Sequence, residues 1–261
     1  MPHRRTYESD AIRVHWDSAR CIHTGFCLHA LPQVFDTSRR PWVEIDAADA
    51  DSIAAAVERC PTGALRYERL DGAPGDEPQR PTLVVPIPDG PLLTIGDLLV
   101  ETPEGEEIAH ENRLTLCRCG KSRNQPFCDN SHMRRGWESG DLNEPAKDPP
   151  PPREGAAGEP TQVVPLADGS LRLSGHLRVV SPDGDLLCEA GRAFLCRCGN
   201  SRNKPFCDGS HERAGFESRE AEVPRDRLEA ETPAAFTKND RVPDPRRVAG
   251  DADPAQGAED G

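Results

Sequence analysis

Two stretches of the chain each carry three cysteines and one histidine at the same spacing. Cys117, Cys119, Cys128 and His132 form C-x-C-x8-C-x3-H, and Cys196, Cys198, Cys207 and His211 repeat it. Three thiolates and an imidazole are four ligands for a soft or borderline metal, so each stretch can hold one metal centre. By spacing alone, structural zinc and a [2Fe–2S] cluster with two ligands to each iron both fit, although C-x-C is less usual in zinc fingers than C-x2-C. Six of the ten cysteines are used this way, and three more, Cys21, Cys27 and Cys60, form a separate N-terminal group.

The elements that must position these residues are themselves repeated. An offset of 79 relates the two loops and holds without a gap from Pro81 to Ser139, with roughly half of the positions identical. This is a duplication. In the first copy Leu92 to Val100 reads as a strand, Pro103-Glu104-Gly105 as a turn, and Arg113 to Leu116 as a strand entering the ligands. The second copy gives Leu171 to Val180, Pro182-Asp183-Gly184 and Arg192 to Leu195. Ser131 and Ser210 stand where an N-cap would start one short helix after the third cysteine.

Residues 1–70 differ in kind. Ala11 to Trp16 alternates like a strand, Cys21 to Leu31 reads as a loop running into a short helix, and Trp42 to Ile45 as a strand. Ser52 to Arg59 reads as a helix capped by Asp49 or Asp51, and Ala64 to Tyr67 as a last strand. Residues 71–80 and the proline-rich 141–159 are linkers. The segment 220–261 is charged and rich in Ala and Pro, and is expected to be disordered apart from a short helix around Arg225 to Glu231.

Composition narrows the function. The chain has 261 residues, 22 Gly and 26 Pro, and is only 35% hydrophobic, so several small metal-held modules are expected rather than one large core. A net charge of −13 disfavours nucleic acid as a partner. The acidity sits in linkers, strands and tail, whereas the metal loops are locally basic, with Arg118, Lys121 and Arg123 in one and Arg197, Arg202 and Lys204 in the other. No stretch approaches the ~20 apolar residues of a membrane helix, and no apolar run follows the N-terminus. A cytoplasmic protein with reduced thiols is expected, without a membrane partner. No nucleophile elbow, paired-carboxylate signature or dinucleotide fingerprint is present, so an enzyme is not expected. Cys188 reads as a buried apolar residue.

Both loops resemble the CDGSH iron–sulfur family, whose pattern is C-x-C-x2-S-x3-P-x-C-D-G-S-H. The second loop carries Cys207-Asp208-Gly209-Ser210-His211 letter for letter, and the first has Asn130 in place of the glycine. Asn is the best non-glycine residue for a positive φ. The resemblance implies one [2Fe–2S] cluster on Cys117, Cys119, Cys128 and His132, and another on Cys196, Cys198, Cys207 and His211. Family members with one motif form homodimers, so two motifs in one chain imply a monomer with an internal pseudo-dimer.

The N-terminal cysteines resemble those of divergent single-cluster ferredoxins. Ferredoxin loops read C-x2-C-x2-C with a distant C-P, and here Thr24 occupies the middle cysteine's position. Cys60-Pro61-Thr62-Gly63-Ala64-Leu65 and Leu31-Pro32-Gln33-Val34-Phe35-Asp36 match the rest of the pattern. Three thiolates on Cys21, Cys27 and Cys60 are the complement of [3Fe–4S]. A [4Fe–4S] cluster, as the resemblance implies, needs a fourth ligand, for which His23 is the candidate.

The expected architecture is α+β: a ferredoxin-like module (1–70), then two β-rich CDGSH modules (81–140 and 160–219) forming the pseudo-dimer. The expected function is one-electron transfer, or cluster storage and donation, to a redox partner protein or an apo-acceptor. The alternatives are a redox or iron sensor acting through cluster loss, and a structural zinc protein.

Overall fold

The computed structural model of the chain describes residues 4–143, 145–152, 158–218 and 242–250. The N-terminal module is a three-stranded antiparallel sheet, with β2 (Ile12–Asp17) between β1 (Arg4–Glu8) and β3 (Leu65–Arg69). Alternation along β2 turns Ile12 and Val14 inward. They pack with Phe35, Val43 and the buried face of α2 (Ala50–Val57). Asp49 caps that helix, its carboxylate accepting from the Ser52 N–H at 2.8 Å. The helix ends just before Cys60, whose N–H donates to the Val57 carbonyl at 2.9 Å. Cys27 rides on the short helix α1 (Phe26–Ala30), and both cysteines touch this core.

The strand expected over Trp42 to Ile45 is not formed. Val43 alone pairs, in an isolated bridge with Phe35, and Ile45–Ala47 is a 3-10 turn. Two backbone bonds flank that bridge, from the Asp36 N–H to the Trp42 carbonyl and from the Glu44 N–H to the Val34 carbonyl, both 2.8 Å, and the pairing extends no further.

Each repeat builds three strands, a metal loop and a four-residue helix. The first has β4 (Thr82–Pro86), β5 (Leu92–Glu101), β6 (Glu107–Leu116) and α3 (Ser131–Arg134). The second has β7 (Thr161–Pro165), β8 (Leu171–Val180), β9 (Leu186–Leu195) and α4 (Ser210–Arg213). The short helices start at Ser131 and Ser210, but the capping residues are Asn130 and Gly209, both left-handed and without a side-chain cap bond.

Neither repeat completes its own sheet. β4 pairs antiparallel with β5 and parallel with β8, while β7 pairs antiparallel with β8 and parallel with β5. Both therefore lie between the two long hairpins. They meet where the buried Thr82 and Thr161 hydroxyls stand 2.7 Å apart. These threonines are related by the 79-residue offset, so their contact marks the pseudo-twofold axis. β5 and β8 change partner there, with a slip in register after Ile95 and Ser174. A Cβ on Gly96 would stand 2.4 Å from the Thr82 hydroxyl. One core, including Val84, Leu98, Leu116, Val163, Leu177 and Leu195, serves both repeats. Cys188 lies within it, 5% exposed.

The linkers are pinned. In 71–80 the Asp76 carboxylate accepts from both terminal nitrogens of Arg113, at 3.0 and 2.6 Å, and its carbonyl accepts from Asn112. The described part of 141–159 runs beside β9, with Ala146 donating to Leu187 and Gly191 to Pro150. Residues 242–250, within the segment expected to be disordered, are ordered. They include α5 (Pro245–Gly250), Val242 is fully buried, and Asp244 accepts from Arg59 at 2.6 Å. The helix expected around Arg225 to Glu231 lies outside the described residues. Among the described residues no helix is long and apolar enough to cross a membrane.

The N-terminal module docks on the first repeat around a buried charge cluster. Arg20 donates to Glu111, Arg66 reaches the same carboxylate at 3.0 Å, and the Arg20 guanidinium lies 4.5 Å from the Phe127 ring centroid. Burial opposes the charge on Arg20, and the Glu111 charge offsets it. Breaking such a pair on one side leaves an uncompensated charge inside the protein. Glu111→Ala should therefore cost ~3 kcal/mol in urea unfolding. The double change Arg20→Met with Glu111→Leu should recover most of it; a single-variant loss below ~1 kcal/mol would show that the pair does not hold the docked face.

Candidate metal centres

β6 and β9 deliver the first two cysteines of each loop, and the short helices present the histidines. Within each loop the chain is tied to itself and to the strands. The Cys117 N–H donates to Pro126, the Cys128 N–H to Thr115, and the Ser122 hydroxyl to Phe127 at 2.6 Å. The second loop repeats these bonds at Cys196, Cys207 and Ser201. Arg118 and Arg197 point inward between the paired cysteines. Arg118 Nε donates to Gly90 at 3.1 Å and Arg197 Nε to Gly169 at 2.9 Å, with second bonds to Ile87 and Leu166. Trp137 and Phe216 cover the two guanidiniums.

The four donors of each loop are brought together as two pairs. Cys117 Sγ and Cys119 Sγ are 3.9 Å apart, and Cys128 Sγ and His132 Nδ1 are 3.5 Å apart. In the second loop the distances are 3.8 Å for Cys196 and Cys198 and 3.4 Å for Cys207 and His211. Two thiolates on one tetrahedral ion with ~2.3 Å bonds stand about 3.8 Å apart, and a thiolate and an imidazole about 3.6 Å. Each pair thus has the separation of two ligands on one metal. Among the described residues no group of three or more His, Cys, Asp and Glu side chains could hold a single metal ion.

The electrostatics call for a cation. In each C-x-C pair one sulfur is held ionised by the S–H of the other, whose own proton is harder to remove. The low member is Cys117, at about 7, in one loop and Cys198, at about 5, in the other. Each pair therefore shares one proton between its two sulfurs. Burial pushes the Cys128 thiol up, and burial likewise raises Cys207. Sulfurs packed this closely can all become thiolates only with positive metal between them. The donor set fits a metal centre on these grounds.

The two loops cross at their second cysteines. Cys119 and Cys198 form an antiparallel bridge, and Trp137 Nε1 reaches the Gly199 carbonyl at 3.4 Å. The approach requires glycine. Gly120 has φ +70°, and a Cβ there would stand 2.8 Å from the Cys198 carbonyl oxygen.

In the N-terminal group, Cys27 is near enough to feel the charges of both other cysteines. Burial raises its pKa first, then the charges of Cys21 and Cys60. Burial also raises Cys21. Cys21, His23 and Cys27 line one half-open cavity of about 330 Å³, together with Trp16, Leu28 and Trp42. His23 has φ +57°, its Nδ1 is 3.9 Å from Cys21 Sγ, and burial lowers its pKa, which favours the neutral imidazole a metal needs. Thr24, at the missing cysteine's position, is 9% exposed.

Comparison with known proteins agrees with this division. A model described as a divergent 4Fe-4S mono-cluster matches residues 7–70, and one described as an iron-binding zinc finger of CDGSH type matches 89–133 and 168–212. The uncharacterized protein YjdI of Escherichia coli strain K12 is 33% identical over 63 residues, which is 24% of this chain and 83% of that protein. The protein of the same name from Escherichia coli O157:H7 gives the same figures. The chain belongs to the divergent 4Fe-4S mono-cluster and CDGSH families. It is an iron–sulfur-binding protein in which one mono-cluster domain precedes a tandem CDGSH pair.

Sequence reasoning missed residues that join these domains. Asn130 Nδ2 donates to the Ile22 carbonyl at 2.8 Å, Asn124 Nδ2 to Ala19 at 2.8 Å, and Arg113 Nε to Cys60 at 3.1 Å. The one signal was Asn130 itself, the departure from the CDGSH glycine.

The loop crossing gives a direct test. Gly136 also has positive φ (+57°) but open space around its Cα. Gly136→Ala should cost ~1 kcal/mol of strain, and Gly120→Ala clearly more, ~2–3 kcal/mol, in thermal unfolding. Equal costs would mean that the loops are not pressed together there.

Proposed function

We propose that this tandem CDGSH protein is a one-electron carrier rather than an enzyme. Cys117, Cys119, Cys128 and His132 would hold one [2Fe–2S] cluster, and Cys196, Cys198, Cys207 and His211 a second. Cys21, Cys27 and Cys60 would hold a [3Fe–4S] cluster, or a [4Fe–4S] cluster with His23 as fourth ligand. The observation that carries the reading is the sorting of each CDGSH donor set into two pairs at ligand separation. A binuclear centre needs two such pairs, whereas zinc needs all four donors around one point. Bound clusters of this kind accept and release single electrons.

The protein's own residues set how easily. Three thiolates and one neutral imidazole leave a formal charge of about −1 on an oxidised [2Fe–2S] centre, against about −2 for four cysteines. Arg118 and Arg197, buried between the paired cysteines, add positive charge. Both effects favour the reduced state, so the potentials should lie above those of all-cysteine centres.

The histidines also make the centres acid-sensitive. An imidazole ligates only when neutral, so protons compete with the metal for it in acid. His132 is 2% exposed and His211 is half-buried, so acid reaches the second centre first. Visible bleaching below about pH 6 should be biphasic. His211→Cys should remove the fast phase and His132→Cys the slow one. Unchanged bleaching in both variants would remove the histidines as ligands. Reversible reduction with the colour retained supports a carrier, whereas ready transfer to an apo-ferredoxin would make the protein a cluster donor.

A further inference from the structure

The two CDGSH loops are alike in sequence and unlike in surroundings. In the first, Asn124, Cys128, Asn130 and His132 are all buried; in the second, Asn203, Cys207, Gly209 and His211 are only half-buried. The difference comes from the N-terminal module. Asn130 donates to the carbonyl of Ile22, the residue directly after Cys21. The Ile22 side chain, 2% exposed, packs with Cys128 and with Val242 of the C-terminal segment. The N-terminal cysteine loop and the Cys128/His132 pair are thus joined by one hydrogen bond and one dry apolar contact. At the other end of the first loop, Cys119 pairs with Cys198.

We infer that Asn130 and Ile22, together with the Cys119–Cys198 bridge, join the three metal sites into one ordered line. It runs from Cys21/Cys27/Cys60, through Cys128/His132 and Cys117/Cys119, to Cys196/Cys198 and out at Cys207/His211. The first CDGSH site is the internal relay, and the second is the terminal. This rests on the carrier reading. With the three sites loaded, these residues would let one electron pass from an external reduced carrier at Cys21/Cys27/Cys60 to an external oxidised carrier at Cys207/His211. No atom or proton need move.

Divergence of the repeats fits this order. Position 130 is Asn where its counterpart 209 is Gly, and position 111 is Glu, bonded to Arg20 and Arg66, where its counterpart 190 is Ala. The second repeat keeps the counterparts of Asn124 and Arg113, as Asn203 and Arg192, but lacks the Asn130 amide and the Glu111 carboxylate, and its histidine end is open.

Asn130→Gly gives the first loop the residue that the second has, at a left-handed position glycine tolerates. The whole protein, purified anaerobically, would be read in two ways. Amide hydrogen exchange over residues 19–27 should quicken about fivefold in the variant, the worth of one lost hydrogen bond, while residues 207–211 stay unchanged. In EPR of the fully reduced wild type, the signal of the first CDGSH centre should be split or broadened by the N-terminal centre, and that effect should weaken in the variant. Iron and sulfide content of the same samples shows separately whether the clusters are present, and the exchange result holds either way. Unchanged exchange over 19–27 would overturn the joining role of Asn130. Three loaded clusters with no such effect, or with the effect on the second CDGSH centre's signal instead, would overturn the order.

Discussion

Strand exchange between the two repeats is the constraint on which the rest of this structure depends. β4 and β7 each fill the space between β5 and β8, so neither CDGSH repeat can bury its own sheet alone. The shared core follows, and so does the meeting of Thr82 with Thr161. The same arrangement carries the two metal loops to the axis, where Cys119 faces Cys198 and only glycine fits beside them. A duplicated sequence thereby becomes one body with two metal sites at fixed separation, in place of two beads on a linker.

The N-terminal module then breaks that symmetry. It covers one repeat and leaves the other open, and two of the residues it holds, Glu111 and Asn130, are replaced by Ala190 and Gly209 in the second copy. Buried charge fixes its place: Arg20 and Glu111 are both removed from water and tolerable only together. The C-terminal segment adds Val242 at the junction where two cysteine loops touch, and Asp244 on Arg59. The result is an asymmetric body with one buried and one half-buried histidine.

Much of this was legible in the sequence because metal loops are local. All four donors of each CDGSH site fall within sixteen consecutive residues, and the repeat offset exposed the pseudo-dimer. The long strands β5 and β8 and the Asp49 cap were readable for the same reason. What escaped was non-local or unpatterned. β1, Arg-Arg-Thr-Tyr-Glu, is a polar edge strand with no apolar alternation to announce it. Trp42 to Ile45 looks like a strand but pairs only at a single bridge. Residues 242–250 gain their order from Ile22, Arg59 and Cys128, all more than a hundred positions away. Asn130 stood out as a motif departure, yet its reason, the Ile22 carbonyl, is visible only in three dimensions.

The central claim is that these cysteines and histidines hold three iron–sulfur centres in one protein. Iron, sulfide and zinc analysis of anaerobically purified protein, with Mössbauer spectra of an iron-57 sample, tests it most directly. The account predicts roughly seven or eight irons per chain with matching sulfide, and two [2Fe–2S] components beside one cubane-type component. Stoichiometric zinc with little sulfide, or spectra holding a single cluster type, would contradict it.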